Sequence, residues 1–308
     1  MSFKYFVLIM IFRNLFLVLQ ILLVLSIAVG LKDLNDVGRV KRLATPTYTA
    51  QSVRNTGKYV VSIRSRTPYK YFGDNHYCGG CIISPIFILT AAKCVMSTQK
   101  VLRRSRVMLI VAGAPNRLKM FAESRHIPVK TIYVPQNYTI FNTNDIALLK
   151  TGLRLPTNNF RIGIIGLPIG PAVEGLYYRS MGWGRVLKGG AMASSILFID
   201  VMLQDFATCK RLIGPFTPDM LCVGNLHVRN LDEHPCLGDA GDPLILNDTV
   251  YGVATYGLGC GNDKYPSVYT NVWYHMDWIR AIMSRGSSQK IQYHLIRVWL
   301  LLLLYMCG

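Results

Sequence analysis

Short apolar runs, each about four to eight residues long, recur along most of the chain between clusters of Gly, Pro, Asn and Asp. The clearest runs are KYVVSIRS at 58–65, RVMLIVAG at 106–113, IPVKTIYV at 127–134 and TVYGVATY at 249–256. Such runs, rich in β-branched and aromatic residues and bounded by turn residues, are typical of strands. The pattern therefore predicts an all-β fold built from barrels or sandwiches.

Only one segment shows the helical period. In VYTNVWYHMDWIRAIM, apolar residues recur at Val272, Met276, Ile279, Ile282 and Met283. This spacing predicts a single helix that closes the domain. The sequence contains neither an internal repeat nor a low-complexity tract.

A long apolar run near the start of the chain predicts export. The run extends from Leu15 to Val29 behind basic residues, and it contains the small-residue pattern that leader peptidases accept, ending at Ala28. We expect a signal peptide at residues 1–28 and a short pro-segment at 29–42. An uncleaved signal anchor is the alternative.

The end of the chain, residues 285–308, has the order of a GPI-attachment signal. Small residues at 286–288 are followed by a polar spacer to Arg297 and then by an apolar run of about ten residues from Val298. The alternative is an amphipathic or sticky tail that is not replaced by lipid.

Cysteine usage agrees with export. None of the eight cysteines lies in the close arrays with histidine that are typical of zinc sites, so we expect disulfides, no metal and no cofactor. Asn137 and Asn247 begin two candidate glycosylation sequons. These features predict an extracellular protein, either secreted or tethered to the outer cell surface.

The net charge of +18 is unevenly distributed along the chain. Residues 54–130 contain fourteen Lys or Arg and two acids, whereas residues 131–280 contain eleven basic and twelve acidic residues. A polyanion such as a sulfated glycan or an acidic surface is one candidate partner, and the alternative is a solvated face that keeps the protein soluble. The export signal disfavours nucleic acid. The densest basic stretch is KVLRRSRV, with Arg103, Arg104 and Arg106 as candidate contacts.

Seven motifs occur in a fixed order over some 200 residues: HYCGGCIISPIFILTAAKC, NTNDIALLK, MGWG, MLCVG, CLGDAGDP, YGLGCG and PSVYTNV. In these motifs the chain resembles the trypsin-like serine proteases, and the resemblance covers roughly residues 43–284. It implies two six-stranded antiparallel β-barrels packed face to face, with a C-terminal helix and a boundary between the lobes near residues 155–165.

The same motifs depart from the family at the catalytic positions. Members carry histidine in TAAHC, aspartate in NDIALL and serine in GDSGGP, and the matching positions here are Lys93, Asp145 and Ala240. Loss of the nucleophile or the base alone costs about a millionfold in turnover. The resemblance thus indicates a catalytically degenerate homologue that retains the aspartate, Asp145, and the backbone of the oxyanion hole, at Gly238 and Ala240.

Lys93 is expected to form an ion pair with Asp145, with the two groups within about 6 Å of each other. The alternative is a Ser-Lys type dyad, which requires a nearby nucleophile. Thr255 matches a family serine that supports the aspartate. Asp242 replaces a family glycine, and we expect its side chain to face solvent; the alternatives are that it opposes an oxyanion or contacts Lys93.

The specificity pocket and the activation segment also depart from the family. His234 stands where members that select Lys or Arg carry aspartate, and Ser267 replaces a family glycine of the lower wall; Gly257 is the third residue assigned to the pocket. The segment after Arg42 lacks the hinge glycines of the activated terminus. By resemblance, three disulfides join Cys78 with Cys94, Cys209 with Cys222 and Cys236 with Cys260, and Cys81 is expected to be a buried free thiol.

These features favour an inactive serine protease homologue, or pseudoprotease, that binds a protein, an active protease among the candidates, or a polyanion. Two alternatives remain. One is a serine-type endopeptidase with residual or unconventional activity, and the other is a structural or adhesive extracellular protein.

Overall fold

A computed structural model describes residues 17–21, 57–156, 158–185, 190–226, 240–256 and 265–285. Residues 17–21 are helical and exposed, and they belong to a unit, Met1–Val40, that is separate from Lys41–Gly308. Several predictions lie outside the described residues: cleavage after Ala28 and Arg42, the pro-segment, and the C-terminal signal. The same holds for the roles of Gly238, His234, Gly257, Cys236 and Cys260.

The first half of the larger unit forms a closed antiparallel barrel of six strands in the order β1-β2-β3-β6-β5-β4. The apolar runs at 58–65, 106–113 and 127–134 form β1, β4 and β5, as predicted. The strands are β1 (Val60–Ser65), β2 (His76–Ser84), β3 (Phe87–Thr90), β4 (Met108–Ala112), β5 (Arg125–Tyr133) and β6 (Ala147–Thr151).

The second half forms a six-stranded antiparallel sheet in the order β8-β7-β10-β11-β12-β9. An antiparallel bridge between Leu203 and Val223 brings the edge strands together, so the sheet is barrel-like. The strands are β7 (Tyr177–Gly182), β8 (Leu197–Met202), β9 (Met220–Val223), β10 (Pro243–Leu246), β11 (Thr249–Tyr256) and β12 (Ser267–Asn271). The prediction of two six-stranded antiparallel barrels is confirmed.

A two-residue turn joins β10 to β11. Asn247 and Asp248 occupy it with φ of 47° and 55°, between the paired residues Leu246 and Thr249. Asn and Asp tolerate the left-handed region, and a turn with two positive φ angles matches the twist of the flanking strands. The turn therefore fixes the pairing next to it, up to the register shift between Leu244 and Ile245.

The described residues of the second half include two helices, whereas the sequence predicts one. Helix α2, residues 276–285, follows a 3-10 turn at Trp273–His275 and buries Met276, Ile279 and Ile282, which confirms the predicted closing helix. The prediction of a single helix was wrong, because it missed helix α1 (Phe206–Ile213). Eight residues give only two turns, too few for a clear period.

One hydrophobic core connects the two barrels and the closing helix. It includes Ile88 and Leu148 from the first barrel, Met181 and Val253 from the second, and Ile279 from α2. The expected boundary near residues 155–165 falls in the connection between β6 and β7. Within the described ranges, none of the helices is long and apolar enough to cross a membrane.

Candidate functional site

Asp145 lies at the centre of the site, two residues before the start of β6, and its side chain is fully buried. The Thr255 hydroxyl donates to carboxylate oxygen Oδ2, and Thr270 Oγ1 donates to the Asp145 carbonyl oxygen at 2.8 Å. Thr255 is on β11 and Thr270 on β12. One strand of the second barrel therefore holds the carboxylate of Asp145, and a neighbouring strand holds its backbone carbonyl.

Lys93 approaches Asp145 from the 3-10 turn Ala92–Cys94 that follows β3. Its backbone N–H donates to Asp145 Oδ1 at 2.8 Å, and its Nζ lies 3.5 Å from Oδ2. Nζ also donates to Asn142 Oδ1 at 2.7 Å. The ion pair expected from the sequence is present, and the Asn142 amide oxygen is a further hydrogen-bond acceptor for the Lys93 amine.

Burial acts on both charges of this pair. It lowers the pKa of the Lys93 amine, and the nearby Asp145 carboxylate opposes that change. It raises the pKa of the Asp145 carboxyl, while Lys93 and the Thr255 hydroxyl oppose the change. Each group therefore depends on the other to remain charged, as desolvation predicts for a buried pair.

Ala240 lies beside the same turn. Its carbonyl oxygen accepts from the Gly79 N–H at 2.9 Å and lies 3.5 Å from Cys94 Sγ. Cys94 follows Lys93 in sequence, so the structure brings all three predicted catalytic positions to one place. Of the two oxyanion-hole residues, Ala240 is described and Gly238 is not.

The prediction that Asp242 faces solvent was wrong, because its side chain is fully buried. It packs against Gly79 on β2, and a Cβ atom at Gly79 would overlap the Asp242 carboxylate. The missing side chain at position 79 thus makes the space that Asp242 fills. Opposition to an oxyanion and contact with Lys93 remain predictions.

The cysteines of the described residues pair as the resemblance implies. Cys78 is bonded to Cys94, and Cys209 is bonded to Cys222. The first of these disulfides fastens β2 to the turn that carries Lys93. Cys81 is a buried free thiol, as expected, and burial together with the Asp242 carboxylate raises its pKa.

Comparison with known proteins identifies the family. A sequence model of the family described as Trypsin matches residues 48–279. The chain belongs to the trypsin family. Trypsin zeta of Drosophila melanogaster is 34% identical over 239 residues, which cover 73% of this chain and 81% of that protein. Trypsin I-P1 of Gallus gallus is 28% identical over 225 residues, which cover 72% of this chain and 86% of that protein.

Of the three residues predicted to line the specificity pocket, only Ser267 is among the described residues. Ser267 is buried at the start of β12 and pairs with Val223 of β9. Its hydroxyl therefore lies inside the fold rather than on the surface. Both candidate glycosylation residues, Asn137 and Asn247, are exposed, as attachment of a glycan requires.

Sequence reasoning missed Asn142, although it lies in the quoted motif NTNDIALLK. The sequence feature that could have indicated a sharp turn here is the pair of asparagines on either side of Thr143, because asparagine tolerates positive φ. Asn142 and Asn144 have φ of 68° and 53°. This sharp turn is what carries the Asn142 amide oxygen to the Lys93 amine.

Proposed function

We propose that this member of the trypsin family is a pseudoprotease, which acts outside the cell by binding and does not hydrolyse peptides. The observation that carries the proposal is the contact of the Lys93 amine with Asp145 and Asn142, on a turn whose next residue, Cys94, contacts the Ala240 carbonyl oxygen. By the family resemblance, a histidine base and a serine nucleophile would stand at positions 93 and 240.

The chemistry of the two replacements supports loss of catalysis. Acyl transfer needs a nucleophilic atom and a base that relays its proton to the leaving amine. The Ala240 methyl group has no lone pair, and an ammonium paired with a carboxylate has none either. Backbone donors alone would leave a rate about a thousandfold above water, far below normal proteolysis.

The frame around the site is suited to binding. The Cys78–Cys94 disulfide fastens the Lys93 turn to the first barrel. Hydrogen bonds from Gly79 to Ala240 and from two threonines to Asp145 join the two barrels at the site. We expect a partner protein, an active protease among the candidates, to dock a segment in the cleft. Secretion or attachment to the outer surface by a lipid anchor or a signal anchor completes the proposal.

The main competing function is a working endopeptidase, because the similar proteins named above are called trypsins. The test uses purified protein cleaved after Arg42, incubated with a broad peptide library. We expect no turnover from the natural chain. Turnover that a serine-directed phosphonate abolishes would overturn the proposal.

Reconstruction of the catalytic positions provides the matched control. The double variant Lys93→His/Ala240→Ser places a base and a nucleophile on the same frame, whereas each single variant lacks one of them. If only the double variant, and neither single variant, turns over peptide, the inactivity of the natural chain is due to residues 93 and 240. If neither the natural chain nor the double variant binds a peptide segment, the third candidate, a structural or adhesive protein, is favoured.

A further inference from the structure

A basic surface lies on the first barrel, formed by two segments that are far apart in sequence. The first segment, residues 66–71, precedes β2, and the second, residues 100–107, precedes β4. Neither segment contains an acidic residue. We call this surface the basic ridge, and its exposed charged residues are Arg66, Lys70, Lys100, Arg103, Arg104 and Arg106.

Direct contacts join the two segments of the ridge. The Arg66 N–H donates to the Val107 carbonyl oxygen at 2.8 Å, and Arg66 Nη1 donates to the Arg106 carbonyl oxygen at 3.4 Å. The Arg103 guanidinium lies 5.3 Å from the ring centroid of Tyr77, which is near the start of β2. The ridge is therefore one continuous surface.

The nearest acid in the sequence, Asp74, is already engaged inside the first segment. Its carboxylate accepts hydrogen bonds from the backbone N–H groups of Tyr69 and Tyr71 at 2.9 Å and 3.0 Å, and also from that of Lys70. Asp74 thus shapes the loop instead of pairing with the exposed cations. The positive charge of the ridge faces solvent.

Two buried arginines fix the base of the same loop. Arg117 Nη1 donates to the Gly73 carbonyl oxygen at 2.7 Å, and the Arg64 guanidinium lies 5.2 Å from the ring centroid of Phe72. Arg64 and Arg117 are 1% and 6% exposed. A loop held at its base loses little freedom when a ligand binds, which favours affinity.

We propose that the basic ridge binds a sulfated glycan. Arginine predominates among its cations, and the planar guanidinium fork matches the oxygens of a sulfate group. Tyr69 and Tyr71 are 76% and 58% exposed beside these cations and offer flat apolar faces to sugar rings. The proposal narrows the polyanion alternative to one surface and one ligand class, and it does not depend on whether the cleft hydrolyses peptides.

The experiment measures binding of the full chain to immobilised heparin over a series of salt concentrations. We expect the triple variant R103Q/R104Q/R106Q to bind about tenfold to a hundredfold more weakly, with a salt slope reduced by about two to three. The matched control, K210Q/R211Q/R280Q, removes the same net charge from exposed residues of α1 and α2. It should change affinity by less than about threefold.

A second variant separates stacking from charge. Tyr69→Ala should weaken heparin binding severalfold and leave the salt slope unchanged, because no charge is removed. Equal losses in the two triple variants would overturn the proposal in favour of a general effect of net charge. Equal binding of desulfated heparin, or binding of phosphatidylserine vesicles without binding of heparin, would also overturn it. The peptidase assay is independent of all these outcomes.

Discussion

At the scale of single residues, the Lys93 amine compensates a carboxylate that has no exposure of its own. Asp145 is fully buried, whereas the Lys93 side chain is 27% exposed. A buried charge is tolerated when it is paired and hydrogen-bonded, and it is costly when one partner is removed. The pair therefore has a structural role whatever the chain binds.

Replacement of Lys93 by methionine should lower the free energy of unfolding by about 2 to 3 kcal/mol at neutral pH. This is less than the roughly 3 to 5 kcal/mol typical of a broken buried pair, because Lys93 is partly exposed. Urea unfolding of the variant and the natural chain measures this loss. Arg179→Met is the control, since it breaks a 2.8 Å pair with Asp200 on the surface and should cost less than about 1 kcal/mol.

Equal costs for the two variants would contradict the structural role of Lys93. A double-mutant cycle provides a second check. Because Asp145→Asn removes the buried charge, Lys93→Met should cost less in that background than in the natural chain.

His275 gives the protein a predictable sensitivity to acid. It is buried, and burial lowers its pKa from 6.5 to about 4, although nearby Asp219 opposes the change. Between these two values the unfolded chain binds a proton that the folded chain does not. Stability should therefore fall as pH decreases from about 6.5 to about 4, by about 3 kcal/mol in total.

The variant His275→Phe should lose that part of the acid destabilisation. Urea unfolding at pH values across this window, for the variant and the natural chain, measures the difference. His126→Phe is the control, because His126 is exposed and should contribute less. The expectation fails if both variants keep the full decline.

At the scale of elements, strand β2 packs closely against the turn leading into β10 because residue 79 is a glycine. Gly79 accepts a hydrogen bond from Thr90 Oγ1 at its carbonyl oxygen and donates its own N–H to Ala240. Its hydrogen-only side chain leaves the space that the Asp242 carboxylate fills. The backbone around Ala240 thus depends on a contact between two elements of different barrels.

Replacement of Gly79 by alanine should lower stability by about 3 kcal/mol or more, because the new methyl group overlaps a carboxylate that is packed on all sides. Thermal unfolding measures the loss. Asp242→Gly in the same chain should recover part of it, since the space is then free. No recovery would show that the cost arises elsewhere. Gly170→Ala, at a position with open space around the glycine, is the control.

At the scale of the whole molecule, the continuous core makes the two barrels interdependent. Cys81 lies within this core with no exposure, pairing with Val60 and Leu89 on the neighbouring strands. Burial and Asp242 raise its pKa, so the reactive thiolate is scarce in the folded state. Its alkylation therefore requires extensive opening of the first barrel.

Labelling of Cys81 by iodoacetamide should be suppressed more than about a thousandfold relative to a free cysteine and should rise with urea as the protein unfolds. Peptide mass spectrometry separates Cys81 from the other cysteines. Rapid labelling in native buffer, insensitive to urea, would contradict the continuous core.

Local patterns predicted most of the fold. The run at 249–256 became β11 with the same bounds, and the apolar spacing from Val272 to Ile282 became the closing helix. Helix α1 was missed although its caps are readable, with Asp205 accepting from the Thr208 N–H and Gly214 at φ of 77°. Caps mark the ends of a short helix when its periodicity is too brief to do so.

The site was predicted less completely, because contacts between distant residues decide it. Lys93 and Asp145 could be paired from family motifs, but Asn142 required the actual path of the turn before β6. The sequence does not show the direction of the Asp242 side chain, so it predicts a solvent-facing loop residue where the structure has a buried one. Its burial depends on Gly79, which is 163 positions away in the sequence.

The sequence by itself determined the strand pattern, the family motifs, the disulfide cysteines and the residue types at the catalytic positions. These are local or covalent properties, and they can be read from the order of residues. Only the tertiary structure decided which polar groups meet in the interior and which cations form one surface. Packing of the two barrels and their loops sets those distances, and the free energy of a charge depends on them.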